Sequence, residues 1–408
     1  MASPPAAGEL PFTHDILADI LIRLPSLADF GRACASCPAF RRVITGHSFL
    51  RRLHVLHPPS ILGTRTFFGF HPAELPNPAA PAARALAEAA DFDLSFLPRP
   101  GFWMVRDERG GCFVADRDEG TDDTFTTIAV CDPLFRRYVL LPPIPGDLAA
   151  TVQQPLIVNA ERRCDVFLAP SDDEEREAAA GAPESFKVIW MAHCPTKLVA
   201  FVFSSTSWQW RAVAPARWRD LNPFMPSVTQ YMPLHYRNYA YGCFYWSLSE
   251  FPYPPNLIVL DMDKMEFYRA NPPPNHKLAK FAIVELGENR VGMFMLASNN
   301  IEGGALRLFS ANRETHGGCA SEWVLENEIL LSPSFKYAML GVADGKVLLV
   351  VTQDVRSAPE VRCVSLDFKT LQRQEIQGMI HPDFRPLTPL PLPVLYIGYP
   401  PSLSLPTI

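Results

Sequence analysis

The chain lacks the marks of export. Its first residues, MASPPAAGEL, hold no basic stretch followed by an apolar core, so no secretory leader is expected. No apolar run approaches the roughly 18 residues that a membrane span needs, and no N-x-[ST] glycosylation acceptor occurs. Basic excess is missing as well. Against 43 Asp and Glu stand 37 Lys and Arg, a net charge of −6, which argues against a general nucleic-acid binder. Catalytic signatures are absent too: there is no G-x-S-x-G, H-E-x-x-H, P-loop or G-x-G-x-x-G. The nine cysteines are scattered and odd in number, which fits free thiols in a reducing compartment. A cytoplasmic or nuclear location, with no membrane and no nucleic-acid partner, is therefore expected.

What is present is an ordinary globular balance, 48% hydrophobic and 20% charged, over 408 residues. Such a length accommodates two or three domains, or one small domain and a large β domain. Proline is in excess at 41 residues, which marks many turns and few long helices.

The first stretch, LPFTHDILADILIRLP, reads as an amphipathic helix. Ile16, Leu17, Ile20, Leu21 and Leu24 fall on one stripe, with Asp15, Asp19 and Arg23 opposite and Ile22 away from it. Thr13 is placed to cap this helix and Pro25 to end it. Three more short helices are expected. The first begins after Ser26 and carries Phe30 and Cys34, the second begins at Pro38 and carries Phe40, Val43 and Ile44, and the third is capped by Ser48. Helices of about ten residues are unstable alone. Their apolar surface exceeds what so small a unit buries within itself. Either a partner covers it, or the helices dock on the rest of the chain.

The run from Leu10 to His54 resembles an F-box. The family pattern is matched by Leu10-Pro11, Ile16-Leu17, Ile20-Leu21, Arg23-Leu24-Pro25, Cys34, Phe40-Arg41, Val43-Ile44 and Phe49. Phe40 stands where Trp is commonest, Phe30 where Leu is frequent, and Thr13-His14 where the family is usually acidic. The resemblance implies a helical domain over residues 8–57 that docks on a Skp-type adaptor, and through it on a cullin–RING ubiquitin ligase. The implied adaptor-binding residues are Leu10, Pro11, Ile16, Leu17, Ile20, Leu21, Leu24, Pro25, Phe30, Cys34, Phe40, Val43 and Ile44.

Residues 58–100 read as a connecting segment with one or two helical turns in ARALAEAADF. From Gly101 the chain reads as strands separated by turn chemistry. A weak repeat emerges on alignment. One element is strand, polar turn, strand, then often proline, as in TIAVCDPLFRRYVLLPP and LIVLDMDKMEFYRANPPP; the other is a hairpin with a Gly, Asp or Asn turn, as in FWMVRDERGGCFVA. The anchors Asp132, Ser204, Asp261, Ser310 and Asp367 recur at about 50–70 residues. Two hairpins per repeat make the four strands of a propeller blade. Five units are recognisable with room for a sixth, so a β-propeller over 101–400 is expected, with a pair of β-sandwiches as the rival. Phrases such as VRDERGG and CDPLFRRYVLLPPIP resemble plant F-box proteins, grass-type above all, whose associated propeller recruits a target. The fold expected is therefore multidomain, a small helical F-box followed by an all-β propeller of about six blades, kelch-like or F-box-associated in type. The acidic stretch 171–183, SDDEEREAAAGAP, is expected to be a mobile loop.

Local site patterns read as structural. Cys34-x2-Cys37 with His47, His54 and His57 has zinc-like residues, but Cys34 belongs to a helix and the histidines lie beyond two more. Asp261-x-Asp263 lacks the glycine of a calcium loop. Trp208 and Trp210 are expected on one strand face. Tyr231, Tyr236, Arg237 and Tyr239 are the residues best suited to a target contact, because Tyr and Arg are enriched at interface hot spots. The expectation is a non-catalytic substrate receptor of an SCF-type ligase with no cofactor; a scaffold or regulator, and less so a propeller enzyme, are the alternatives.

Overall fold

A computed structural model of the chain describes residues 13–408 except 26, 58, 67–68, 100, 119–123, 153–154, 156, 159–160, 163, 170–184, 226, 228–233, 249–255, 275–280, 300–302, 313–321, 344, 354–359, 369, 371, 377–393 and 407. Leu10, Pro11, Tyr231 and the acidic stretch 171–183 lie outside the described residues.

Four short helices come first: α1 (His14–Leu21), α2 (Leu27–Ser36), α3 (Pro38–Ile44) and α4 (His47–Leu56). Pro38 starts α3 as its fixed φ allows. Two details differ from expectation. Gly46, not Ser48, precedes the last helix, so Ser48 sits inside α4. Ile22 is buried rather than apart, while Ile16 and Ile20 are exposed. The apolar stripe on α1 is thus rotated, with Leu17, Ala18 and Leu21 turned inward.

Residues 58–100 are more than a connector. They form β1 (Ser60–Thr66), β2 (Gly69–Pro72) and the ten-residue helix α5 (Ala80–Ala89). A four-stranded meander follows, β3 (Phe102–Arg109), β4 (Cys112–Asp118), β5 (Ile128–Asp132) and β6 (Arg137–Leu140). After the small hairpin β7 (Ile157–Val158) and β8 (Glu161–Arg162) comes a second sheet. It comprises β9 (Cys164–Ala169), β10 (Lys187–His193), β11 (Lys197–Ser204) and β12 (Gln209–Ala212), with β13 (Ala216–Arg217) beside β11. The third is β14 (Leu234–Ala240), β15 (Cys243–Leu248), β16 (Asn256–Asp261) and β17 (Glu266–Ala270). The fourth is β18 (Phe281–Gly287), β19 (Arg290–Asn299), β20 (Gly303–Asn312) and β21 (Val324–Leu331). The fifth is β22 (Lys336–Ala343), β23 (Lys346–Gln353), β24 (Glu360–Asp367) and β25 (Arg373–Ile376). The sixth sheet pairs β1 with β2 on one side and with β26 (Val394–Gly398) on the other.

Successive sheets pack face to face around a ring, with their first strands close together. β3 touches β9, β14 touches β18, β18 touches β22, and β22 touches β26. Phe167 of β9 meets Phe244 of β15 at 5.0 Å, and Tyr396 of β26 meets Phe113 of β4 at 6.3 Å. The sheet containing both ends thus bridges the fifth meander to the first. This is a six-bladed β-propeller, and ring closure excludes the sandwich pair.

The core lies between blades. Middle strands are buried on both faces, so they read as continuous apolar runs such as LVAFVF in β11. Alternation then assigns each residue to a seam. In β4, Phe113 and Ala115 pack toward the closing sheet, and Val114 toward Trp190 and Phe201 of the second blade. Outer strands such as β25, RQEI, are mostly exposed.

The repeat anchors have a physical role. Each of the five lies at or near the end of the third strand of its blade. Asp132 Oδ1 accepts the N–H groups of Leu134 and Phe135 at 3.0 and 3.1 Å, and Asp261 Oδ1 those of Asp263 and Lys264, both at 3.0 Å. Asp367 does the same for Thr370 at 2.7 Å. These side chains close the turn into the fourth strand. Four residues after the first three anchors, Arg136, Trp208 and Met265 all take left-handed φ, at 52°, 55° and 55°. Trp208 therefore belongs to a turn and is exposed, whereas Trp210 is in β12 and buried.

Candidate functional site

Two regions of the chain gather groups suited to recognition. The first is the helical module. Its core holds Leu17, Leu21, Phe30, Val43, Ile44, Phe49 and Leu53, with Leu24, Cys34 and Phe40 packed at its margin. The Cys34 thiol is pushed up by burial, with Arg41 opposing. Of the expected adaptor-binding residues, Leu17, Leu21, Phe30, Val43 and Ile44 are inside the module and closed to a partner in this structure. The chain itself covers that side. Leu403 completes the same core, with Tyr399 and Leu405 beside it. The Tyr399 ring stacks on His54 at 3.8 Å, and its hydroxyl donates to the His57 carbonyl at 2.8 Å. Ile16 and Ile20 remain open, 48% and 53% exposed one turn apart on α1, and Pro25 is exposed near the helix end. A cavity of about 780 Å³ lies between α2 and α5, and the tail after β26 lines it as well as joining the module's core.

The second region is built by the first strands of three blades. In β3 a bulge falls between Val105 and Asp107, where the register with β4 shifts. After it, Glu108 faces the closing sheet, and Asp107 and Arg109 face the second and third blades. Asp107 Oδ2 accepts the Leu168 N–H of β9 at 2.9 Å. Asp107 Oδ1 accepts from Arg237 Nη2 of β14 at 2.5 Å. Arg237 also lies over the Phe167 ring, 4.3 Å from its centroid. One carboxylate therefore ties three blades together. Arg109 lies over the Tyr239 ring at 5.0 Å, and Tyr239 meets Phe244 edge-on at 4.9 Å. Arg109 keeps solvent access while protein surrounds its other sides, and desolvation pulls its pKa down against the opposing pull of Asp107.

β14 carries a bulge of its own, between His235 and Asn238. Tyr236 sits there with φ of 56°, left-handed and exposed, a strained position for an aromatic residue. Asn238 fastens the strand to its neighbour: its Oδ1 accepts the Ile283 N–H at 3.1 Å. So Tyr236, Arg237 and Tyr239, expected as contact residues, take different parts. Tyr236 is presented outward, Arg237 is held by Asp107, and Tyr239 is a platform for Arg109.

On the other face of β3, the Glu108 carboxyl is almost wholly enclosed, 3.4 Å from Arg65 Nε of β1. Neither Glu108 Oε2 nor Arg65 Nε has a hydrogen bond among the described residues. Burial pushes Glu108 up to about 8, with Arg65 opposing, so it is largely protonated at neutral pH. Sequence reading missed Asp107, Glu108 and Arg109. Their signal was a run of four charges, RDER, ending a strand that runs inside a β domain.

No family model matches the chain, and no curated protein matches it. Solved structures with a similar arrangement include the β-propeller domain of the trilobed protease of Pyrococcus furiosus, at 8% identity and TM-score 0.38, over 69% of this chain and 72% of that one. A polysaccharide lyase of family PL25, an ulvan lyase, aligns at 9% identity and TM-score 0.38, over 68% and 70% of the two chains. A nidogen/laminin complex aligns at 8% identity and TM-score 0.34, over 78% and 91%. Likeness this distant carries no activity across.

Proposed function

We propose that the chain is a substrate-receptor subunit of an SCF-type cullin–RING ubiquitin ligase. The helices α1–α4 hold a Skp-type adaptor, and the propeller presents a target protein. The chain supplies position rather than bond-making: it raises the effective concentration of a target lysine near the charged conjugating enzyme. One observation carries the reading. Within a helical unit whose sequence resembles an F-box, Ile16 and Ile20 stand open on α1 while Leu17 and Leu21 hold the core. A helix with two aliphatic anchors one turn apart suits helix-in-groove docking. Covering the open half of each side chain contributes on the order of 1 kcal/mol apiece.

The test mixes the full chain with a Skp-type adaptor and measures affinity by calorimetry, with Ile16→Asp/Ile20→Asp as the control. Both side chains are about half exposed and lie outside the module's core, so the variant is expected to keep its fold, which circular dichroism checks. Binding by the wild type, lost in the double variant, supports the reading. A folded wild type that does not bind the adaptor refutes it.

A further inference from the structure

The site on β3 and β14 has an unbalanced charge. Two guanidiniums, Arg109 and Arg237, lie within the influence of one carboxylate, Asp107, which is paired with Arg237. Arg237 takes Asp107 as its ion-pair partner. Arg109 makes no ion pair and no hydrogen bond among the described residues; its contact is the Tyr239 ring beneath it. That contact uses the face of the guanidinium and leaves its N–H edges unused, and five donors lie on those edges. Asp107 is the carboxylate that favours the charged Arg109, and Arg237 is the like charge that opposes it. Tyr236 precedes Arg237 in β14 and takes a left-handed φ at the bulge between His235 and Asn238.

We propose that the Arg109–Tyr239 stack, beside the Arg237–Asp107 pair, is a binding site for one carboxylate. A planar carboxylate matches the edge of a stacked guanidinium in a two-point contact. One negative charge brings the cluster to neutrality. A dianionic phosphate overshoots it and meets the repulsion of Asp107. The carboxylate comes from a glutamate or aspartate side chain, a chain terminus or a small organic acid; these share the chemistry and differ in what surrounds it. The inference concerns the propeller alone and stands whether or not α1–α4 hold an adaptor.

The experiment follows the arginine Nε–H resonances of the full chain by NMR, with Arg109 assigned through Arg109→Lys. Four probes are titrated: N-acetylglutamate N-methylamide, N-acetylalanine, the neutral N-acetylglutamine N-methylamide, and phenyl phosphate. The expected result is a saturable shift of Arg109 with at least one carboxylate, about tenfold or more stronger than with the neutral amide. The stronger of the two carboxylates identifies a side-chain or a terminal source. Asp107→Asn, checked for fold by circular dichroism, should turn the preference toward phenyl phosphate, because two guanidiniums then stand uncompensated. Arg109 unmoved by both carboxylates overturns the proposal. So does a wild type that prefers phosphate, or a folded Asp107→Asn variant that keeps the carboxylate preference.

Discussion

Leu403→Ala tests what holds the helical module in place. Leu403 is 1% exposed and sits in the core formed by Phe30, Ile44, Leu50 and Leu53, although it follows the last strand of the propeller. Removing a buried leucine side chain costs about 2–4 kcal/mol at such a site. The module is small, and a cavity separates much of α2 from α5, so few neighbouring contacts share the loss. The cost should therefore fall on local opening of α1–α4 rather than on global unfolding. Hydrogen exchange by mass spectrometry reads this directly. Amides of α1–α4 should exchange about 30- to 900-fold faster in the variant, and those of β10 and β11 should not change. Leu330→Ala is the control, since Leu330 is 82% exposed on β21. If α1–α4 exchange at the wild-type rate in Leu403→Ala, the tail is not part of the module's core and the packing argument fails.

Glu108 gives the chain a pH dependence of definite sign. Its native pKa of about 8 exceeds the ordinary 4.5, so between those values the native state holds a proton that the unfolded state has lost, and stability falls as pH rises through that window. Urea midpoints at pH 5, 6.5 and 8 should decline in the wild type with a component that Glu108→Gln removes; an equal decline in both would sink the assignment. At Gly63 an added Cβ would lie 2.3 Å from the His71 carbonyl, so Gly63→Ala should cost about 3 kcal/mol by forcing β1 from β2. At Gly31, inside α2, an added Cβ meets nothing within 4 Å, and Gly31→Ala should instead stabilise by about 0.8 kcal/mol in thermal unfolding.

The repeat was readable because the three aspartate anchors do a local job. An aspartate that closes a turn onto residues two and three places on leaves its mark at a fixed spot in the sequence, as Asp132 and Asp261 do. The closing sheet was not readable. SILGTRT has little apolar alternation, and its partner VLYIG lies at the far end of the chain. The helical wheel of α1 found an apolar helix but misjudged its inner side. Wheel geometry places Ile16, Leu17, Ile20 and Leu21 together, whereas the position of α3 and of the tail decides which of them is covered. The Asp107–Arg237 pair joins residues 130 positions apart, and only the ring of blades brings them within reach.

The closing sheet also sets an order of events during synthesis. β1 leaves the ribosome early, yet its partner β26 follows roughly 330 residues later. At usual translation speeds that is an interval of about 15–65 s, during which one edge of β1 has no strand to pair with. The nascent ring stays open through all five complete blades, and the residues that seal it are immediately followed by those that seat the helices. Closure of the ring and docking of the module therefore belong to one late step, and a chain that stalls before Val394 lacks both.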